Sequence, residues 1–183
     1  MKEQNQIPYI ILLRAVNVSG KNIIKMAALR QKLQDAGFSN ATTYIQSGNI
    51  LLRSAAPAEL IQRQVKALIQ DQFGLTVETF VLDMPLLKKA LSVNPLQGEL
   101  APNRLFITML DKTPEKALIA TLKATDHGNE TFDVVDNILY FYLPDGAARA
   151  KMSNNYFEKK LQVIATGRNL NTYQKLLELA ENL

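Results

Sequence analysis

The sequence predicts an α+β protein made of two tandem ferredoxin-like (α/β-plait) units, each a two-layer sandwich with an antiparallel sheet. Three observations support this prediction. The element order strand–helix–strand–strand–helix–strand occurs twice along the 183 residues. A connector that contains Pro and Gly, NPLQGELAPN, separates the two occurrences. The helices of the first half carry an apolar stripe, as a helix packed on one face of a sheet requires. We therefore assign residues 1–100 to an N-terminal unit and residues 101–183 to a C-terminal unit with an extra closing helix.

The first unit begins with a predicted strand at residues 9–14, followed by the polar loop AVNVSGKN. Apolar residues then recur at helical spacing over residues 26–36, and Gly37 ends that helix. Two short strands, at about residues 42–46 and 49–53, are joined by a Ser-Gly turn. A helix that starts near Pro57 and a strand at about residues 77–82 complete the unit. A short helix containing MPLLKKAL leads to the connector.

The second unit repeats this order with negligible residue identity. RLFITML is a predicted strand, and Thr113-Pro114-Glu115 opens a helix with a cap and a proline in its first turn. TFDVV and ILYFYL form a hairpin across Asp136-Asn137, a pair that suits a tight turn. NNYFEKKL is helical, VIAT is a short strand, and NTYQKLLELAEN is the closing helix, in which Asn171 and Gln174 have the spacing of a capping box.

The composition excludes several kinds of chemistry. The chain has no cysteine, so it can hold no disulfide, thiol nucleophile or zinc–thiolate site. His127 is the only histidine, and we expect it to be a solvated loop residue. No activated-serine elbow accompanies it, which disfavours a Ser-His-Asp site. The carboxylates form no D-x-D or E-x-x-H cluster, so we predict no metal and no cofactor.

The charge and hydropathy patterns indicate the type of partner. The apolar run in MKEQNQIPYIILLR is too short for a signal-peptide core or a membrane span, so we expect a cytoplasmic protein with no membrane partner. Residues 1–100 hold 11 Lys/Arg against 7 Asp/Glu, whereas residues 101–183 hold 10 of each, so the net charge of +4 lies in the first half. This asymmetry is a mild indication of an anionic small molecule or a nucleic acid as partner. An oligomeric partner is possible, but no sequence feature indicates one.

The predicted topology brings two distant polar segments to one edge of the first sheet. In a βαββαβ unit the third strand lies between the first and the second and runs opposite to both. The loop after the first strand and the hairpin after the second strand therefore meet. We expect convergence there of polar residues from both segments, namely Arg14, Asn17, Lys21, Asn22, Gln46, Ser47 and Asn49.

The hairpin TYIQSGNILL allows more detailed expectations. Gly48 should lie at the turn with a positive φ, so that Gly48→Ala is costly. Ser47 and Asn49 should expose their polar groups at the edge of the sheet. Tyr44 and Gln46 should point to the same face, because side chains alternate along a strand.

The loop VNVSGKN is partly similar to a P-loop. Ala15 stands where the first Gly of that motif belongs, Asn22 stands where the Mg-binding hydroxyl belongs, and the hairpin conflicts with a parallel sheet. A Gly-containing loop that leads to a helix can still bind an anion through its backbone amides, with Lys21 as the charge. The alternative is a loop whose Asn and Ser side chains satisfy their own backbone.

Two further segments are candidate anion sites. In ATGRNLNTY, Arg168 and Asn169 precede the last helix, and in KMSNNY, Lys151, Ser153 and Asn154 lie at another helix start. The alternative for the first segment is helix capping by Asn171 with a solvated Arg168, and the second segment has the same ambiguity.

Aromatic residues on an inner strand of the second sheet raise the question of RNA recognition. Tyr140, Phe141 and Tyr142 occupy a strand that stacks bases in RNA-recognition domains of this fold. The RNP sequence pattern is absent, so we expect these rings to pack one unit against the other instead.

The N-terminal stretch LLRAVNVSGKNIIKMAALRQKLQDAGFSNATTYIQSGNILL resembles the signature of an uncharacterised bacterial family, domain of unknown function 1697. That signature runs roughly LLRGINVGGKN, a helix, then TYIQSGN, and ATGRNLNTYQKLLELA is similar to the family's closing TARNWNTV motif. Ala15 and Ser19 stand where the family usually has Gly, Lys25 where it often has Pro, and Leu170 where it often has Trp. Because Ala15 does not readily take a positive φ, we expect the lost glycines to hinder close approach of the backbone to a phosphate.

The resemblance implies two tandem α/β-plait units and no established activity. The positions that match its motifs are Arg14, Asn17, Gly20, Lys21, Asn22, Tyr44, Gln46, Ser47, Gly48, Asn49, Arg168, Asn169, Asn171 and Thr172. All but Thr172 form our predicted ligand-binding set, and their chemistry is mostly hydrogen-bond donation plus three fixed cations.

This chemistry favours a binding module for a phosphate- or carboxylate-bearing ligand, such as a nucleotide or a nucleic acid. One alternative is an enzyme that acts on a small phosphorylated substrate, with Lys21 or Tyr44 in proton transfer and Arg14 stabilising charge. Another is a non-catalytic assembly protein whose hairpin tip makes protein contacts.

Overall fold

The computed structural model describes residues 6–183 and contains two four-stranded antiparallel sheets, each in a βαββαβ-type unit with helices on one side. This confirms the predicted α+β fold of tandem ferredoxin-like units. The chain divides into two compact units. The first comprises the residues up to Lys88 together with Lys175–Leu183, and the second comprises Lys89–Gln174. No helix in the described part of the chain combines the length and the apolar character needed to cross a membrane.

The first unit has the strand order that brings the predicted loop and hairpin together. Its elements are β1 (Ile7–Leu13), α1 (Met26–Asp35), β2 (Thr42–Tyr44), β3 (Asn49–Ser54), α2 (Ala58–Phe73) and β4 (Thr79–Asp83), followed by α3 (Met84–Ser92). The sheet order is β2-β3-β1-β4, so the third strand lies between the first and the second. In the β1–β3 pair, Leu12 lies opposite Asn49. The end of β1 therefore meets the start of β3.

The core of the first unit lies between its sheet and helices α1 and α2. Tyr9, Ile11 and Leu13 alternate along β1 and so share one face of the sheet. Ile61, Val65 and Ile69 recur every four residues along α2 and pack into the same core, together with apolar residues of α1. Burying an aliphatic side chain of this size contributes about 1.5–3 kcal/mol.

The second unit repeats the arrangement with different side chains. Its elements are β5 (Leu105–Leu110), α4 (Lys116–Lys123), β6 (Thr131–Val135), β7 (Ile138–Tyr142), α5 (Asn154–Leu161) and β8 (Ala165–Asn169), followed by α6 (Leu170–Glu181). The sheet order is β6-β7-β5-β8. Phe141 packs in the core against Phe157, and Tyr140 is fully buried. Phe141 thus packs within its own unit, which differs from the expectation for this ring, and neither buried ring is open to stack a base.

Two strand boundaries differ from the sequence interpretation. β2 ends at Tyr44, because Ile45 has a φ of 48° and begins a turn over residues 45–48. Gln46 is therefore not a strand residue, so strand alternation does not fix its side chain relative to that of Tyr44. β8 includes Arg168 and Asn169, which we had placed in the segment before the last helix.

His127 is buried rather than solvated, with a relative exposure of 9%. Its Nε2 atom lies 2.9 Å from the hydroxyl of Tyr156, and the ring makes edge contacts with Phe132 and Tyr156. The expectation of a solvated loop histidine was wrong because aromatic residues of β6 and α5 enclose the ring. Thr113 also does not cap α4, whose N-cap position is Glu115.

Candidate functional site

The end of β1, the loop of residues 14–25 and the turn of residues 45–48 meet at one edge of the first sheet, and we call this region the loop–tip surface. The side chain of Asn17 joins its parts. Asn17 Nδ2 donates to the backbone carbonyls of Ile24 at 2.9 Å and Gln46 at 2.8 Å, and Oδ1 accepts from the Ile24 N–H at 2.9 Å. The predicted convergence of the loop and the hairpin tip is thereby confirmed.

The loop backbone adopts the left-handed conformation at several residues that are not glycine. φ is 53° at Ala15, 56° at Asn17, 49° at Ser19 and 47° at Asn22. The expectation that Ala15 would avoid positive φ was wrong, because hydrogen bonds hold the loop in this conformation. The Asn17 N–H donates to the Asn22 carbonyl at 3.2 Å, and Asn22 Nδ2 donates to the Ala15 carbonyl at 3.1 Å. Non-glycine residues in this region cost about 1–2 kcal/mol each, so the loop stores backbone strain.

The most exposed part of the loop is a tight turn at Val18–Lys21. The Lys21 N–H donates to the Val18 carbonyl at 2.9 Å, and the two central residues, Ser19 and Gly20, have φ of 49° and 73°, as in a type I′ turn. Both central residues are exposed, and neither N–H donates a hydrogen bond to any residue that the structure describes. Two open amides next to a lysine form a concentration of donors that suits an anion.

The loop–tip surface is positively charged. Residues 14–25 and 41–50 contain Arg14, Lys21 and Lys25 but no Asp or Glu. Lys21 and Lys25 are exposed, and within residues 6–183 their ammonium groups make no hydrogen bond or ion pair. Arg14 is half-buried, and its N–H donates to the carbonyl of Glu78 at 2.8 Å. The Glu78 carboxylate is paired with Lys66 at 2.8 Å, so its charge is already offset.

The start of α1 adds to this positive surface. Lys25 occupies the N-cap position and makes no side-chain capping bond, and the first turn of α1 contains no acidic residue. The positive end of the helix dipole is therefore not offset by a local carboxylate.

Gly48 occupies the tip as predicted, with a φ of 75°. Its carbonyl accepts from the Leu13 N–H at 2.8 Å, which binds the tip to the end of β1. A Cβ atom at this position would lie 2.8 Å from Leu13 Cβ and 3.3 Å from Val16 Cβ. Both the backbone angle and the space therefore require glycine.

Asn49 is fully buried, which contradicts the expectation that it exposes its polar group. Its Nδ2 atom donates to the Tyr44 carbonyl at 3.1 Å and to Ser47 Oγ at 3.0 Å. β3 is an inner strand, and Asn49 is paired with Leu12 of β1 on one side and with Tyr44 of β2 on the other. Asn49 therefore closes the turn from inside, and Ser47 is half-buried.

The predicted site residues of the first unit thus fall into three groups. The side chains that hold the backbone are Asn17, Asn22 and Asn49. The exposed residues are Gly20, Lys21 and Gln46, and the half-buried ones are Arg14, Tyr44 and Ser47. The tenth residue, Gly48, is buried at the turn and belongs with those that hold the backbone. Both readings of the loop therefore hold in part, because the asparagines satisfy the backbone while Lys21 and two amides stay open.

Arg168 belongs to the second unit and is only 9% exposed. Its Nη1 atom donates to Thr166 Oγ1 at 3.0 Å and to the Gly167 carbonyl at 2.8 Å. Burial lowers the pKa of Arg168 to about 10, and the nearby Tyr173 acts in the opposite direction. The alternative of a solvated Arg168 was therefore wrong.

Helix α6 is capped by Asn169 rather than by Asn171. Asn169 Oδ1 accepts from the N–H of Thr172 at 3.0 Å and from its hydroxyl at 2.9 Å. The Leu170 N–H donates to the Pro102 carbonyl at 3.1 Å. The predicted capping box failed because β8 runs directly into the helix, which moves the cap two residues earlier. Asn171 is exposed in the first turn.

The amides before α5 are occupied by a carboxylate of the protein itself. Glu130 accepts from the N–H of Lys151 at 2.8 Å and from the N–H of Met152 at 2.7 Å. Ser153 caps the helix by accepting from the Tyr156 N–H at 3.2 Å. This candidate anion site is therefore already filled at its backbone donors.

The corresponding edge of the second unit has the opposite electrostatic character. The Leu110 N–H donates to the Asn137 carbonyl at 2.9 Å, in the same role as the Leu13–Gly48 bond. The loop and turn here contain Asp111, Glu115 and Asp136. Asp136 pairs with Lys89 at 2.7 Å, and Asp111 accepts from the Ile164 N–H at 2.7 Å. The positive, carboxylate-free edge is thus a property of the first unit and not of the fold.

Acid–base and metal-ligating groups are sparse at the loop–tip surface. Residues 14–25 and 41–50 contain no His, Asp or Glu. Over residues 6–183, no group of three or more His, Asp or Glu side chains is close enough to hold a metal ion.

Sequence reasoning missed four exposed residues of this surface: Val18, Ile23, Lys25 and Ile45. A usable signal was present for the aliphatic ones. Val18 and Ile23 occur in a Gly-, Ser- and Asn-containing loop that has neither helical nor strand periodicity, so no regular element could bury them.

Comparisons with known proteins agree with the fold and with the motifs. A family model described as "Protein of unknown function (DUF1697)" matches residues 7–140, a range that includes the whole loop–tip surface. The solved structure of the conserved bacterial protein SP0830 from Streptococcus pneumoniae has a TM-score of 0.70 and 21% identity, and the alignment covers 96% of this chain and 99% of that one. It shows the same fold. No curated protein sequence matches the chain. Since the matched region spans most of the sequence, the chain belongs to the DUF1697 family.

Proposed function

We propose that this protein is a binding module whose loop–tip surface holds an anionic ligand, a phosphate- or carboxylate-bearing molecule such as a nucleotide or a nucleic acid. One observation is the main support for this proposal. Lys21 and Lys25 are exposed, without a bonded partner among the described residues, on segments that contain no carboxylate. Lys21 directly follows Ser19 and Gly20, whose amides are open, in the same tight turn.

The other candidate segments support the proposal less. The backbone donors near Lys151 already bind Glu130, and Asn169 caps the start of α6. The role of Arg168 as a ligand contact stays a prediction, and the burial of its guanidinium does not favour it.

The physical case rests on charge and on preorganisation. A hydrogen bond between a charged donor and an anion contributes about 1.5–3 kcal/mol, more than a neutral pair. The loop is already fixed by the Asn17 and Asn22 side chains, so binding does not have to order it. A preorganised site loses less conformational entropy when a ligand binds.

A catalytic role has less support than binding. The loop–tip surface offers Lys21 and the half-buried Tyr44 as proton-transfer groups, and no observation assigns a proton-transfer step to either. A cytoplasmic location in a bacterial cell is part of the proposal, in line with the anionic metabolites and nucleic acids found there.

The proposal can be tested by thermal shift and calorimetry with inorganic phosphate, ATP, citrate and oligo-dT. We expect at least one of these anions to raise the Tm, since a ligand that binds only the folded state stabilises it by mass action. Binding should weaken at higher salt because exposed charges are screened. Lys21→Ala and Lys25→Ala should reduce the shift.

Lys112→Ala is the matched control. Lys112 is an exposed lysine in the corresponding loop of the second unit, and its side chain is unpaired within residues 6–183. The proposal fails if no anion stabilises the protein, or if Lys112→Ala reduces the shift as much as Lys21→Ala does.

A further inference from the structure

The loop–tip surface carries exposed aliphatic side chains as well as lysines. Four large hydrophobic residues are exposed in the described part of the chain: Ile7 at 42%, Val18 at 54%, Ile23 at 68% and Ile45 at 48%. Three of the four, all but Ile7, belong to this surface. Single exposed apolar residues are common, but a group of them marks an interaction site more often than a free surface does.

The side chain of Asn17 accounts for this grouping. Its amide binds the backbones of Ile24 and Gln46, so their carbonyls lie within two hydrogen-bond lengths of each other. Each exposed aliphatic residue is the chain neighbour of one of the three joined residues. Val18 follows Asn17, Ile23 precedes Ile24, and Ile45 precedes Gln46. The hydrogen bonds of Asn17 thus bring close together the backbone segments that carry Val18, Ile23 and Ile45.

We propose that the loop–tip surface docks an acidic segment of another protein in which aliphatic side chains alternate with Asp or Glu. This inference rests on the proposed function, because it assigns the carboxylate-bearing ligand of the same surface to a protein chain. Carboxylates of the partner pair with Lys21 and Lys25 and accept from the amides of Ser19 and Gly20. Aliphatic side chains of the partner cover Val18, Ile23 and Ile45, which removes their apolar surface from water.

Charge complementarity argues against a second copy of this chain as the occupant. A symmetric contact through this surface would bring Lys21 and Lys25 of one copy towards those of the other, and the surface segments contain no carboxylate to offset them. An acidic partner supplies the missing charge.

The side-chain types argue against a single-stranded nucleic acid. Such ligands stack their bases on aromatic or arginine side chains, whereas the exposed apolar residues here are Val and Ile. The one aromatic residue and the one arginine in the two segments, Tyr44 and Arg14, are both half-buried.

Backbone polarity argues against a lipid surface. Insertion of Val18 and Ile23 into hydrocarbon would carry the open amides of Ser19 and Gly20 towards a medium without hydrogen-bond acceptors, which is unfavourable. A peptide provides carbonyl and carboxylate oxygens at the same place.

The test is a selection of peptides from a random library against the full chain, followed by fluorescence-anisotropy titrations. We expect enriched peptides to combine Asp or Glu with Leu, Ile, Val or Phe. Ile23→Ser should raise their Kd by about tenfold or more, as truncation of a central interface residue does. A Lys21→Ala/Lys25→Ala double variant should weaken binding and remove most of its salt dependence. Lys21, Ile23 and Lys25 are all exposed, so Ile23→Ser and the double lysine variant should both keep the wild-type Tm.

Two control variants separate this surface from general stickiness. Ile7→Ser removes the exposed aliphatic residue at the opposite end of β1, and Lys112→Ala removes an exposed lysine in the second unit. Both should leave the peptide Kd unchanged. Enriched peptides that bind Ile23→Ser as well as wild type would overturn the inference.

Other occupants are outcomes of the same assay. Binding of oligo-dT or of phosphatidylserine vesicles that Ile23→Ser abolishes, without any selected peptide, would replace the protein partner by a nucleic acid or a membrane. Self-association in light scattering that Ile23→Ser abolishes would also overturn the inference. If phosphate or citrate binds in a Lys21-dependent way while no peptide depends on Ile23, the proposed function stands and this inference fails. Peptide binding that needs Ile23 but not the two lysines would overturn the acidic character of the partner.

Discussion

Asn17 is the residue whose replacement should most directly disturb the loop–tip surface. Its side chain makes three hydrogen bonds to the backbone, at 2.8–2.9 Å, and its φ is 56°. Asn17→Ala removes all three bonds. It also places alanine, which tolerates the left-handed region less well than asparagine does, at a positive φ. Asn17→Gly removes the same bonds but suits the backbone angle.

The magnitude follows from these contacts. A hydrogen bond of this type has a net value of about 0.5–1.5 kcal/mol, and the half-buried position of Asn17 places the three bonds together at about 2–3 kcal/mol. Alanine in the left-handed region adds about 1 kcal/mol, a cost that glycine does not have. We therefore expect Asn17→Ala to lose about 3–4 kcal/mol of local stability, and Asn17→Gly about 1 kcal/mol less.

Hydrogen exchange suits this measurement better than a global melt, because the chain contains two units and need not unfold in one step. The reporters are the N–H groups of Leu13, bonded to Gly48, and of Ile24, bonded to Asn17. Both should lose protection in Asn17→Ala, while core amides keep theirs.

Asn171→Ala is the matched control, since the side chain of this exposed asparagine makes no hydrogen bond within the described residues. It should change stability by less than about 0.5 kcal/mol. Equal protection of the Leu13 amide in wild type and Asn17→Ala would refute the argument that this side chain joins the loop to the tip.

Three further predictions concern positions where the backbone or a buried hydroxyl is decisive. Gly48→Ala should cost more than about 2 kcal/mol in urea unfolding, because a Cβ would collide with Leu13 in a backbone of positive φ; a loss below about 0.5 kcal/mol would contradict this. Ala15→Gly should stabilise by about 0.5–1 kcal/mol, since φ is 53° there, and a lower urea midpoint would count against the strain argument. Tyr173→Phe should be neutral or stabilising, because the buried Tyr173 hydroxyl has no hydrogen-bond partner in residues 6–183, whereas Tyr140→Phe should lose about 1 kcal/mol with its bond to a backbone carbonyl. Burial raises the pKa of both Tyr140 and Tyr173, so the folded state keeps protons that the unfolded state loses at high pH. The free energy of unfolding is therefore at its full value below the unfolded-state pKa of about 10 and falls as the pH rises past it. The fall should be less steep in Tyr173→Phe, which lacks one of the two titrating hydroxyls.

Much of the fold followed from the sequence because apolar periodicity and turn residues agree locally. The stripe of α1 and α2, the tight turn at Asp136-Asn137 and the Pro- and Gly-containing connector each specify one element type. Convergence of the loop and the hairpin followed from topology alone, because the βαββαβ order fixes which strand ends meet.

The errors occurred where tertiary contacts override local preference. Ala15 and Ile45 take positive φ because the Asn17, Asn22 and Asn49 side chains hold the turns around them, a network that spans residues far apart in the sequence. His127 is buried by aromatic rings of other elements. Local propensity contains no information on such partners, and so the sequence predicted an ordinary loop at Ala15 and His127 and a continuing strand at Ile45.

The candidate site was predicted in its location but not in the roles of its residues. Polar residues in a motif suggest ligand contacts, yet three asparagines of the set use their amides to hold the backbone. The residues left exposed are a lysine pair and aliphatic side chains. Their exposure could not be inferred without knowing which amides were already bonded.

The contrast between the two units gives the strained loop its significance. The second unit forms the same four-stranded sheet, and it closes the equivalent edge with the same kind of bond, from Leu110 to Asn137. Its connection between the first strand and the first helix occupies only residues 111–115 and contains no residue of positive φ. The fold therefore does not require a connection as long or as strained as residues 14–25. The loop costs stability, is held by the side chains of Asn17 and Asn22, and exposes lysines and aliphatic side chains, as the proposed binding role requires. Residues of positive φ flank the exposed Val18, Lys21 and Ile23 along the chain, so the backbone strain coincides with the charge and the apolar exposure of this surface.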